Sequence, residues 1–445
     1  MTTATSRMTE GPIGRQIVRF AVPLFLGNLF QQLYNTADAL IVGNLLGNDA
    51  LAAVTSTGSL VFLLVGFFNG IFLGAGVVIS RYFGAKDRDT MRRAIHTTLL
   101  FSLMAGAFLT AVGTTMTPLF LRWMDTPAEI MPQSVSYLRV YFAGSMGMVL
   151  YNACMGIMQA LGDSRHPLYY LILSSGVNVV LDILFISLFD ADVGGAALAT
   201  VLSQFLSVLL CLWRLMRTKE AYRVSVKEIR FDGAMLWQIL RYGLPSGLQN
   251  SVIAIANVVV QSYINAFGPM AMAGCGAYVK VEGFAFLPIT SFTAAITTFV
   301  GQNLGAGEYA RTRKGARFGI FCSMLIAEAI GITICLTAPW LIRAFTEESA
   351  AIAFGVSKAH ASSLLYFLLA ATHCLSAVLR GAGRATVPMA TMLTFWCVIR
   401  VAILAVTVPL THTFGIVNWV YPITWALSTA ALTIYYFKVD WLHGK

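Results

Sequence analysis

Four acids stand inside long apolar stretches of this 445-residue chain: Asp38, Asp182, Glu282 and Glu328. At the centre of a bilayer each costs about 2.5–3.5 kcal/mol on insertion scales, so each needs a partner or a wet cavity. Lys280 and Arg400 are the two bases that require the same explanation. Asp38 ends a polar stripe: Asn28, Gln31, Asn35 and Asp38 follow at spacings of 3, 4 and 3, which is one face of a helix. Tyr34 sits one turn before the acid, and Pro23 earlier in the same segment should bend it by removing a hydrogen bond. A second stripe, Ser175, Asn178 and Asp182, has spacings of 3 and 4. Ala196 and Thr200 stand one turn apart, in and after the small-residue run 194–197, and small residues let helices approach closely. If these three segments touch, Asp38, Asn178, Asp182 and Thr200 form an all-oxygen cluster. Hard cations such as Na+ prefer oxygen ligands. Two neighbouring carboxylates in low dielectric do not both stay ionised unpaired, so one takes a proton or a cation binds. That is the chemistry of ion coupling. The competing reading is a packing network between helices, a role that does not require an acid.

The second half of the chain is less explicit. Glu282 has no counterpart in the first half, and Lys280, two positions away, is a poor partner for it. Gln249, Asn250, Asn257, Gln261 and Asn265 make a broad amide face. Glu282, Gln249 and Gln261, with Gln31 and Asn35, are candidates for a substrate path; the amides serve equally well as packing groups. Glu328 lacks polar neighbours at helical spacing, and Arg400 either pairs with an acid or snorkels outward. The six histidines show no HxxxH or HExxH pattern, and the seven cysteines lie singly in apolar stretches with no CxxC. No zinc site, disulfide framework or cofactor is expected, and no nucleophile–base pair supports an enzyme.

The elements that position these residues follow from composition. The chain is 57% hydrophobic and only 11% charged, with mean hydropathy +0.73. Soluble domains carry about a quarter charged residues, and backbone in lipid must pair internally as helices or a closed barrel. The apolar runs are too long for barrel strands. The reading is an all-α polytopic membrane protein with twelve transmembrane helices, at about 16–44, 52–81, 94–121, 133–161, 168–189, 193–215, 237–265, 272–300, 316–344, 353–380, 387–411 and 415–437. Of the 30 Lys and Arg, 24 fall in alternate connections and the terminal segments, while the opposite connections hold Arg122, Arg139, Arg343 and Lys358. This bias places both termini in the cytoplasm and accounts for the net charge of +10 without a nucleic-acid surface. The first apolar run is too long for a cleaved signal, so the first helix is retained. The polar stretch 216–233 reads as a cytoplasmic linker, with an amphipathic helix on the lipid surface.

The two sides of that linker repeat at an offset of 221–222 residues. Ile17 to Pro23 echoes Ile239 to Pro245, Gly47 to Ala53 echoes Gly268 to Gly274, and Gln159 to Pro167 echoes Arg380 to Pro388. Six helices per half is even, so both halves insert the same way up, as two six-helix bundles in a parallel repeat. The expected division is an N-lobe over 1–215, a linker over 216–236 and a C-lobe over 237–445.

Nearly the whole chain, from Gly14 to about Tyr436, resembles the multidrug and toxic compound extrusion (MATE) transporters of the bacterial efflux type. The likeness rests on Ala21-Val-Pro23 with Asp38 fifteen residues later, and on Ser80-Arg-Tyr-Phe-Gly-Ala-Lys86. It rests equally on Gln159-Ala-Leu-Gly162-Asp, Asn178 with Asp182, and Gly301-Gln-Asn-Leu-Gly-Ala-Gly307. The resemblance implies antiport of organic cations and amphipathic drugs against H+ or Na+, in the bacterial inner membrane, by a protein read here as a monomer among membrane lipids. It implies an N-lobe cation site on Asp38, Asn178, Asp182, Ala196 and Thr200, with Tyr34 and Pro23 in first-helix bending. Glu282 resembles a family acid near the substrate path, whereas the acid that some members carry on helix ten has no confident counterpart here. A lipid-linked glycan flippase of the same superfamily is the nearest alternative, and would favour a basic cavity. An intramembrane enzyme and a passive channel fit the charge pattern less well.

Overall fold

The computed structural model describes residues 8–189 and 191–443. The terminal residues assigned to the cytoplasm, and Asp190 in an outer connection, lie outside these. Every regular element among the described residues is helical. In chain order they are α1 (Ile13–Leu46), α2 (Asn48–Gly84), α3 (Arg88–Trp123), α4 (Met131–Ala143), α5 (Ser145–Ala160), α6 (Arg165–Ile183), α7 (Val193–Arg217), α8 (Gly233–Asn265), α9 (Pro269–Gly305) and α10 (Tyr309–Arg343). They continue as α11 (Ser349–Ser362), α12 (Tyr366–Gly381), α13 (Thr386–Met392), α14 (Arg400–Thr411) and α15 (Phe414–Lys438). Among the described residues nine helices are long and apolar enough to cross a membrane, and the bent pair α4–α5 makes a tenth. α1 and α15 complete twelve; the amides and acid of α1, and the Tyr and Trp of α15, dilute their hydropathy.

Several of the expected helices are not uniform. The fourth turns by 49° between α4 and α5. A Cβ on Gly144, at that corner, would lie 2.2 Å from Val201 Cγ2, so the bend presses bare backbone against α7. The tenth is interrupted by a 3-10 turn, Ser363–Leu365, between α11 and α12. The fifth ends in a π-helical turn, Leu184–Leu188, two residues after Asp182, and the eleventh carries one over Leu393–Ile399, directly before Arg400. Single π turns inside helices are frequent at functional sites.

The chain forms two compact units whose edges differ from the expected lobes. The first is Leu26–Leu244; the second joins the described residues up to Phe25 to those from Pro245 onward. Both crossings fall inside helices, α1 and α8, beside Pro23 and Pro245. In the first unit the start of α8 meets α2 backbone to backbone: a Cβ on Gly74 would lie 2.2 Å from the Gly243 nitrogen. In the second, Ile17, Phe20, Ala21 and Leu24 of α1 share a buried core with Phe292, Ala295 and Phe299 of α9. Gly74 and Ala295 are equivalent in the repeat, as are Gly243 and Ala21. Small residues at both places permit the close packing that assigns each helix start to its unit.

The linker corrects another expectation. It forms no amphipathic helix, only a 3-10 turn at Val226–Glu228. Tyr222 and Val224 are buried in the core of the first unit, and Ser225 N–H donates to His96 Nε2 at 3.1 Å. Arg92 pairs with Glu228 at 2.6 Å and Arg93 with Asp232 at 3.5 Å. Protein partners satisfy the polar groups that a lipid surface would otherwise have to satisfy. The motif 301–307 has a matching role in the second unit. Gln302 accepts from Met8 N–H at 3.0 Å, and Asn303 and Arg311 donate to the Met8 carbonyl at 3.2 and 3.0 Å.

Candidate functional site

In the first unit, α1, α6 and α7 bring Asp38, Asn178, Asp182, Thr200 and Tyr34 together. The carboxyl groups of Asp38 and Asp182 lie within hydrogen-bonding range of each other. Asn178 Nδ2 donates to Thr200 Oγ1 at 3.4 Å, and the hydroxyls of Tyr34 and Thr200 are 3.5 Å apart. Asn178 and Asp182 are fully buried. Asp38 Oδ1, Asn178 Oδ1 and both carboxyl oxygens of Asp182 are buried without a protein donor. Buried carboxylate and amide oxygens gathered without a donor are stable only if a proton or a cation joins them. No group of three His, Cys, Asp or Glu suited to a metal occurs among the described residues. The set is two carboxylates with amide and hydroxyl oxygens, which suits a hard monovalent cation or a proton better than a transition metal.

The remaining first-half candidates divide. Ala196 is buried in an apolar layer with Val42, Ala50, Tyr137, Ile186 and Val193. Gln31 and Asn35 do not join the cluster: both are exposed. Pro23 is half-buried and α1 runs through it without a break. Two residues join the site that the polar stripes did not indicate. Tyr137 and Tyr141 of α4 stack at 6.1 Å, and Tyr137 is close enough to Asp38, Asp182 and Tyr34 to feel their charge. A pair of tyrosines four apart in an apolar segment was the available signal.

In the second unit, Glu282 accepts from Tyr278 at 3.1 Å, and the Tyr278 and Tyr366 hydroxyls are 2.8 Å apart. Lys358, counted above with the outer connections, is instead buried within α11 at 3% exposure. Its ammonium lies 4.8 Å from the Tyr421 ring centre, and the Arg400 guanidinium lies 4.3 Å from the same ring. Arg400 does not snorkel: it is 2% exposed and donates twice to Thr424 Oγ1, at 2.8 and 3.2 Å. Gln249 is buried and donates to Met392 Sδ, while Gln261 is exposed and pairs with Asn265 at 2.9 Å. Both amides thus bond elsewhere than to Glu282. Lys280 is exposed. Glu328 holds a helix start in place. Its Oε2 accepts from Phe367 N–H at 3.2 Å, capping α12 where the helix break frees backbone donors.

Outside the membrane-spanning segments, Asp163 ties α6 to α7. It accepts from His166 Nδ1 at 2.8 Å and from Arg214 Nη2 at 3.1 Å. Burial pushes its carboxyl up, but the His166 hydrogen bond and charge, then Arg214, outweigh it and hold the group below the ordinary carboxylate range.

Two repeated units of spanning helices, each with charged groups gathered inside it, are the build of a membrane transporter. Residues 23–184 and 245–406 each match the MatE family, so the two stretches begin at the two equivalent prolines. The chain therefore belongs to the MatE family, the multidrug and toxic compound extrusion transporters. It is 28% identical to the probable multidrug resistance protein YoeA of Bacillus subtilis, over 97% of this chain and 95% of that one. It is 26% identical to the probable multidrug resistance protein NorM of Thermotoga maritima, over 86% and 83%. Among solved structures, an outward-facing multidrug resistance MATE family transporter of the MOP superfamily superimposes with a TM-score of 0.89 at 25% identity, covering 98% of this chain and 96% of that one. MATE in complex with MaL6 gives 0.91 at 25% identity, with both chains covered in full.

Proposed function

We propose that the chain is a secondary antiporter of the bacterial inner membrane that exports organic cations and amphipathic drugs in exchange for H+ or Na+. The single observation that carries this is the donor-free oxygen cluster of Asp38, Asn178 and Asp182. A proton or Na+ entering between the two carboxyls removes their repulsion and satisfies the orphaned oxygens. Departure of that ion restores a negative pocket that holds a cationic substrate. Tyr34 and Thr200 follow the change through their shared contact, and the Pro23 segment of α1 supplies the bend. The names of the relatives, multidrug resistance proteins, support the substrate class. For a tenfold change in substrate affinity the coupling must supply about 1.4 kcal/mol, and reciprocity requires substrate to weaken ion binding by the same factor.

The test is efflux of a cationic dye from proteoliposomes, with inward sodium and proton gradients imposed separately. Export driven by either gradient, and lost in Asp38→Asn, is the expected result. Export indifferent to both gradients overturns the proposal.

A further inference from the structure

The interiors of the two units carry opposite charge. The first holds the acid pair. The second holds Lys358, Arg400 and Arg380, all buried, against two half-buried acids, Glu282 and Glu328. Lys358 and Arg400 belong to a continuous set: His373 of α12 packs edge-on to Trp396 at 5.5 Å, Trp396 lies 5.3 Å from the Arg400 guanidinium, and Arg400 and Lys358 share the ring of Tyr421. Among the described residues no carboxylate lies within ion-pair distance of Lys358 or Arg400; Glu282 is bonded to Tyr278 instead. The Lys358 ammonium faces the Tyr278 and Tyr421 rings and, among the described residues, has no hydrogen-bond acceptor. A buried ammonium and a buried guanidinium over one ring share Glu282, which acts on both only at a distance, and an aromatic face does not replace a second counter-ion. Glu282 and Tyr421 remain partly exposed, so the cluster is reachable.

We infer that Lys358 and Arg400, over Tyr421, bind an oxyanion: the carboxylate or phosphate group of a transported molecule. The planar guanidinium and the ammonium are the two donors suited to such a group. This deepens the proposed antiport and rests on it, because it assigns zwitterionic and acidic amphiphiles, besides simple cations, to the same transporter. Glu282 then works against over-binding, repelling the oxyanion enough for release.

Equilibrium binding to the purified protein tests the site without requiring transport. The probes are a xanthene dye bearing a free benzoate and the methyl ester of the same dye. The unaltered protein should bind the acid at least tenfold more tightly than the ester, with benzoate and phenyl phosphate competing and benzamide not. The acid-to-ester ratio should collapse in Lys358→Gln and in Arg400→Gln and persist in Lys358→Arg. Equal binding of acid and ester, or indifference to both benzoate and phenyl phosphate, overturns the site even if no variant folds. Competition by only one of the two anions supports the site and names its chemistry. If the ester is exported with ion dependence while the ratio is one, the oxyanion site fails and the antiport reading stands. If the ratio is large and neither ion drives export, the antiport reading fails alone.

Discussion

Replacing Asp182 with asparagine should make the protein indifferent to the ion it couples to. In the parent, the carboxyls of Asp38 and Asp182 meet within hydrogen-bonding range and three of their four oxygens are buried without a donor. Two full charges about 4 Å apart repel by about 4 kcal/mol at an effective dielectric of 20. That exceeds by several-fold the roughly 1.4 kcal/mol needed for tenfold coupling. The amide keeps the shape of the side chain, removes one charge and supplies a donor that Asp38 can accept. The repulsion disappears, and with it the reason to bind a cation. The assay is thermal unfolding of purified protein across sodium concentration at fixed ionic strength, and across pH at fixed sodium. A ligand at a hundred times its Kd stabilises by about 2.7 kcal/mol, so the parent should show a rising midpoint with one of the two ions. Asp182→Asn should start higher and stay flat. If the variant keeps the full ion dependence, or the parent ignores both ions, the acid pair is not the coupling site.

Other outcomes follow from contacts elsewhere. Asp163→Asn should cost about 1.5–3 kcal/mol at neutral pH, the worth of a hydrogen bond to a charged group. Because folding lowers the Asp163 pKa, its contribution is present above the unfolded value and is lost as pH falls through the folded one, so parent and variant should converge in thermal stability only in acid. Gly144→Val places side-chain atoms into Val201 and should cost about 1–3 kcal/mol by overpacking, read as a lower unfolding midpoint. Glu328→Gln keeps an acceptor for Phe367 N–H and should export dye as the parent does, whereas Glu328→Ala should lose about 1–3 kcal/mol of stability. A cysteine at Glu220, in a background cleared of the seven native thiols, should resist impermeant thiol reagents in intact cells; ready labelling inverts the topology.

Much of the fold was legible because lipid leaves so few options. Apolar run length sets the number of spans, and the echo of Pro23 in Pro245 announces the repeat. Helical periodicity also put Asp38 on one polar face and Asn178 with Asp182 on another, because side-chain direction along a helix is fixed by local geometry. What periodicity does not contain is the identity of the facing helix. Only the tertiary structure decided that Asp38 meets Asp182, that Tyr137 and Tyr141 stand beside them, and that Gln31, Asn35 and Gln261 stay outside the charged clusters. The same holds for charge. Lys358 lies near a helix end and counts as a loop residue in any tally of composition, yet a turn of α11 buries it over the ring that Arg400 also occupies. Glu328 looked isolated because its partner is a backbone N–H thirty-nine residues away, exposed by a helix break that leaves no mark in hydropathy. The exchange of helix starts at Pro23 and Pro245 goes with small residues at equivalent places, Gly74 against Gly243 and Ala21 in one core with Ala295. Each member of such a pair is ordinary in its own stretch of sequence, since close packing is a property of two surfaces and a sequence records them one at a time.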